Sequence, residues 1–159
     1  TAPRAPLPNL AAIVDARIAL ADGEPSRALR LLSPWARDSK ALYLTHAALA
    51  DAYRAAGDPS RALAEYHWLA DHRGRAYAEW GGHALVTPTN VAWANLALLS
   101  GAEVAWEAGD LSMARVNMQR FGVAWPASHR PDEIARRAAM LESDVAPMPR
   151  AVPGPALAP

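Results

Sequence analysis

The stretch Gly57-Asp58-Pro59-Ser60-Arg61-Ala62-Leu63 constrains this chain more than any other. A near-copy stands upstream at Gly23-Glu24-Pro25-Ser26-Arg27-Ala28-Leu29, and a looser one downstream at Gly109-Asp110-Leu111-Ser112-Met113-Ala114-Arg115. The intervals are 34 and 52 residues. Each copy lies between two segments of helical apolar periodicity, so each predicts the turn of a helical hairpin. Glycine closes the arriving helix in the left-handed conformation without a Cβ clash. Asp58 and Asp110 then suit the free N–H groups of the next helix, whereas Glu24 is a weaker cap. Pro25 and Pro59 fall at the first helical position, where a missing N–H costs nothing. Ala28, Ala62 and Ala114 are small where the paired helices cross.

The rest of the chain reads around these turns. Residues 1–8 carry three prolines and read as an extended linker. Hairpins are expected over about 9–34, 39–72 and 89–126, with Pro34 and Pro126 as stops and 39–56 as the longest clean helix. Thr89 or Asn90 is expected to cap the third hairpin's first helix. An insertion of about 18 residues, near 72–89, accounts for the longer second interval, and its 75–80 segment fits either extra helical turns or a loop. Residues 131–143 read as an amphipathic capping helix with Ile134, Ala138 and Leu141 inward and Asp132-Glu133 in the first turn. Residues 144–159, rich in proline, read as a disordered tail.

A 34-residue helix–turn–helix period resembles the tetratricopeptide repeat. In residues 43–76, Leu49, Ala50, Tyr53, Ala62 and Tyr66 occupy that family's large, small, aromatic, small and aromatic positions, with His46 for the usual tryptophan and Gly74 for the usual proline. The first repeat matches at Ala16, Ala28 and Leu32, with Asp15 and Ala19 in place of a large apolar residue and an aromatic. The third matches at Ala102, Ala114 and Pro126, with Met118 for the second aromatic and Gly101 and Ala105 at large positions. The resemblance spans about residues 9–128. It implies an all-α fold: a short right-handed solenoid of about three hairpins plus the capping helix.

It also implies a concave groove lined by the first helix of each repeat. Transferred by position, the lining is Leu10, Ile13, Arg17 and Leu20; then Leu44, Ala47, Asp51 and Arg54; then Leu96, Leu99, Glu103, Trp106 and Glu107. An apolar floor with an aromatic anchor and a few charges suits a peptide. Acids stand where the family's carboxylate-binding asparagines would be, so a free peptide carboxylate is not the expected anchor. Trp35, Trp80 and Trp106 are expected to be exposed, and Trp68, Trp93 and Trp125 to lie on apolar stripes.

Other chemistry has little support. There is no cysteine, hence no disulfide or thiolate metal site. Zero formal net charge argues against nucleic acid, and the short Arg73-Gly74-Arg75 and Arg136-Arg137 spots do not form a track. No apolar run approaches a membrane span. There is no phosphate loop, no Gly-x-Ser-x-Gly elbow and no His-Glu-x-x-His. His67 and Asp71 share a helix face beside His72, an arrangement that more often steadies a surface than holds a metal. No catalytic residue, cofactor or metal is therefore expected.

The expected function is non-catalytic binding of a protein or peptide. The resemblance extends to C-terminal sensory or scaffolding regions of bacterial regulators, and a chain opening on Thr1 reads as part of a longer protein. Two alternatives stand beside it. One is homodimerisation. The other is small-molecule sensing, with the 73–89 insertion, carrying Arg75, Tyr77 and Trp80, as a lid.

Overall fold

The structure, a computed structural model, describes residues 7–38, 41–79 and 87–145. These residues are all-helical, with no strand among them. In chain order the helices are α1 (Leu7–Ala21), α2 (Pro25–Ala36), α3 (Tyr43–Ala55), α4 (Pro59–Asp71), α5 (Arg73–Ala78), α6 (Thr87–Glu107), α7 (Leu111–Ala124) and α8 (Asp132–Val145), with a 3-10 turn at Ala127–His129. Among the described residues, none of the helices is long and apolar enough to cross a membrane.

The three turns share one geometry. Gly23, Gly57 and Gly109 have φ of +75°, +74° and +81°. In each turn the glycine N–H and the next N–H reach back to the helix end: Gly57 N–H to the Arg54 carbonyl at 3.0 Å, and Asp58 N–H to that of Tyr53 at 2.9 Å. This crossed pair satisfies the last carbonyls of the arriving helix. The departing helix is capped by Asp58, which accepts from Arg61 N–H at 3.0 Å, and by Asp110, which accepts from Met113 N–H at 2.9 Å. Glu24 makes no such bond; its longer side chain pairs instead with Arg27 at 2.9 Å.

The helices differ from expectation in several places: α1 begins at Leu7, inside the stretch read as linker, and α8 runs to Val145, into the stretch read as tail. Pro34 does not stop α2, which continues to Ala36. Proline removes one donor, and Ser33 Oγ supplies another, donating to the stranded Arg30 carbonyl at 3.2 Å. The longest described helix is α6, not α3. α6 also begins at Thr87, so Asn90 lies inside it. Asn90 is fully buried and donates from Nδ2 to Glu79 at 3.1 Å rather than capping the helix.

The start of α3 is capped from a distance, because Leu42 has no polar side chain to offer. Asn9 of α1 accepts the Leu42 N–H at 2.8 Å and the Thr45 hydroxyl at 3.0 Å. Glu79, just past α5, accepts the Tyr43 N–H at 2.8 Å. Arg75 donates to the Ala41 carbonyl. The described part of the insertion thus ties the start of α3 to the start of α6.

Packing is sequential. The principal contacts run α1–α2, α2–α3, α3–α4, α4–α6, α6–α7 and α7–α8, and α1–α3, α3–α6 and α6–α8 also touch. Buried apolar residues fall into three clusters, centred on Leu32 and Leu49, on Tyr43 and Tyr66, and on Leu99 and Phe121. Alanine supplies much of each cluster, so backbones approach closely. Gly101 is the tightest point: a Cβ there would lie 3.3 Å from Asn117 Nδ2 and 3.5 Å from Tyr66 Cβ. Tyr66 and Asn117 thus fill the space a large residue at this position would need.

Candidate functional site: an ion-paired face ending at Trp106

The first helix of each hairpin and α8 contribute side chains to one connected set. Arg17 of α1 pairs with Asp51 of α3 and lies 5.0 Å from the Trp93 ring centroid. The Tyr66 hydroxyl donates to the other oxygen of Asp51 at 2.5 Å. Burial pushes that hydroxyl's pKa up, and the adjacent Asp51 charge adds to the shift, so Tyr66 stays a neutral donor. Three residues on from Asp51, at Arg54 of α3 (about one helical turn), Nη1 donates to Glu103 at 2.9 Å and Nη2 to Glu107 at 2.5 Å, both on α6. Burial works against the Arg54 charge, but the bonds to Glu107 and Glu103 outweigh it and raise its pKa. Arg137 of α8 completes the set, donating to both Glu103 oxygens at 2.9 Å and to Ser100 at 3.3 Å.

Between α3, α6 and α8 this face opens into a cleft of about 450 Å³. Arg54, Glu103, Glu107 and Arg137 form its charged wall, and Trp106, Met140, Leu141 and Asp144 form the remainder. Trp106 is 41% exposed and Met140 71%. Partly exposed ion pairs contribute little stability each, roughly 0–1 kcal/mol. Their effect here is to fix side-chain positions around an exposed tryptophan.

Comparison with protein-family models, with curated proteins and with solved structures returned no significant match.

The structure brings Arg17 and Asp51 together, and Arg54, Glu103, Trp106 and Glu107 together. Leu20 and Leu44 are half-buried against the α1–α3 cluster. Leu99 is fully buried, as is Ala47, and Ile13 nearly so. These three are core residues rather than lining: α3 and α6 are covered on several sides, so their buried arcs are wider than one stripe. Of the insertion residues, Arg75 is engaged with Ala41 and Glu79 and stacks 5.5 Å from the Trp68 centroid. Tyr77 is exposed, and Trp80 lies outside the described residues. Trp35 is half-buried.

Sequence reasoning missed Arg137 and Met140, which it assigned to the capping helix, and Asp144, which it placed in the 144–159 tail although α8 runs on to Val145. The signal was present in α8, whose Arg137 follows one residue before the inward Ala138 and so sits at the edge of the buried stripe. His67 and Asp71 do not converge: Asp71 accepts from Arg120 at 2.6 Å, while His67 faces Asn117. Among the described residues no group of three His, Cys, Asp or Glu is placed to hold a metal ion.

Proposed function

We propose that the chain is a non-catalytic binding module of the tetratricopeptide type, taking a protein or peptide segment on the face that runs from Arg17 to Trp106. Sequential helix contacts and three separate core clusters support a stacked-hairpin solenoid over a bundle with one centre. The observation that carries the binding reading is the cleft beside Trp106, where an exposed aromatic and Met140 are rimmed by charges held in place by one another. A rigid aromatic anchor gives large contact area at small entropic cost. Selection of a randomised peptide library on the immobilised chain tests this. Enriched peptides should bind Trp106→Ala at least tenfold more weakly. No enrichment, or equal binding to the variant, overturns it.

Homodimerisation is favoured by a separate observation. Leu7, Val14 and Ile18 lie 69%, 56% and 52% exposed at helical spacing on the outer face of α1. A second copy would cover this stripe in a self-complementary interface. Light scattering across a concentration range tests it: a mass that doubles, and reverts in Val14→Asp, supports the dimer, and a constant monomer mass excludes it.

A further inference from the structure

We infer that the Trp106 cleft takes a basic side chain of the bound segment, an arginine or lysine flanked by apolar residues. This rests on the peptide-binding reading above and adds the chemistry of the ligand. Every arginine on the face is already engaged by a carboxylate: Arg17 by Asp51, Arg54 by Glu103 and Glu107, Arg137 by Glu103. The carboxylates are not all engaged in return. Asp144 has no hydrogen-bonding or ionic partner among the described residues. Glu107, half-exposed, uses only Oε1. The lining therefore carries two cations and three anions, and its unmet demand is for positive charge.

The helix around Asp144 adds to this. Asp144 lies in the last turn of α8, which has no basic residue there, and the carbonyl end of a helix favours a cation. Arg115 takes the Val145 carbonyl at 2.7 Å but leaves the Asp144 carboxylate alone. Trp106, 41% exposed in the cleft, is an aromatic of the type that attracts a guanidinium or ammonium group to its ring face. Met140 offers apolar surface for the methylene stem of such a side chain. An acidic segment would meet Glu107 and Asp144 with like charge, and a neutral one would leave them with water.

The test is a titration of the isotope-labelled chain with three end-blocked pentapeptides. They differ only at the centre, where arginine, glutamine or glutamate stands between leucines. The arginine peptide should shift the Trp106 indole resonance with a Kd at least tenfold below that of the glutamine peptide, and the glutamate peptide should bind most weakly. Asp144→Asn should remove most of the arginine preference, whereas Glu142→Gln, an acid of the same helix that does not line the cleft, should keep it. Glutamine or glutamate peptides that bind as well as arginine, while still requiring Trp106, overturn the basic-residue inference and leave the binding face standing. An undiminished preference in Asp144→Asn overturns it too. No shift with any of the three also overturns it, and the library selection then decides the face separately.

Discussion

Arg54 and Glu103, 49 positions apart in sequence, meet at 2.9 Å and join α3 to α6 where the Trp106 cleft begins. Glu103 is the better buried of the two and also accepts from Arg137. Two cations thus serve one carboxylate, and neither alone is indispensable. Arg54→Ala and Arg137→Ala should each cost no more than about 1 kcal/mol. The double variant should cost more than the sum, by about 1 kcal/mol, because Glu103 then lacks any cation. A double-mutant cycle by urea unfolding measures the difference; strict additivity would show that the two arginines act independently.

The caps give a contrast within one molecule. Asp110→Ala should lower stability by about 1 kcal/mol, since the Met113 N–H loses its acceptor. Glu24→Asp should raise it by a few tenths of a kcal/mol, roughly the gain of installing a short acceptor where none reaches. Denaturant midpoints of the two variants check both signs.

How far these features could be read from sequence follows the range of the interactions. The turns are local: glycine, a short acid and proline fix φ and the first N–H acceptors within a few residues, so Gly57 and Asp58 were legible. The α2 end was not, because Ser33 compensates Pro34 through a bond that a stop rule does not count. The start of α3 depends on Asn9 and Glu79, 33 and 36 positions away, which no local pattern reports. The site divides the same way. Arg17, Asp51, Arg54, Glu103, Trp106 and Glu107 came from the repeat resemblance, which implies one face for the first helix of each hairpin. Leu99 came with them but is core, because α6 is covered by both α4 and α7. Asp144 and Arg137 needed the position of α8 against α6.

Glycine positions separate backbone strain from crowding. A Cβ at Gly57 meets nothing within 4 Å, so Gly57→Ala should cost only the left-handed backbone penalty, about 1–2 kcal/mol. Gly101 has ordinary helical φ but tight neighbours, so Gly101→Leu should be worse, by about 3 kcal/mol or enough to prevent folding. Equal, small losses at both sites would contradict the close packing of α6 on α4 and α7.

Acid should weaken the fold partly through two carboxylates. Arg61 backbone and side-chain N–H groups hold Asp58 below its ordinary value of 3.8, and Arg136 holds Glu133 below 4.5. A depressed folded pKa adds stability that is present above the unfolded value. It is lost as pH falls through the ordinary carboxylate range toward the depressed one. Asp58→Asn keeps a capping oxygen without the charge. It should therefore lower the urea midpoint at pH 7 and flatten its fall below about pH 4, where the variant and the wild-type chain converge.

The central claim is that binding belongs to the Trp106 face and not to a separate cleft, where Val123 of α7 stands 82% exposed beside Arg73 and Arg120. The most direct measurement is the affinity, by calorimetric titration, of one library-selected peptide for the wild-type chain, Trp106→Ala and Val123→Ser. The account predicts at least a tenfold loss in Trp106→Ala and none in Val123→Ser; unchanged affinity in the first, or loss confined to the second, contradicts it.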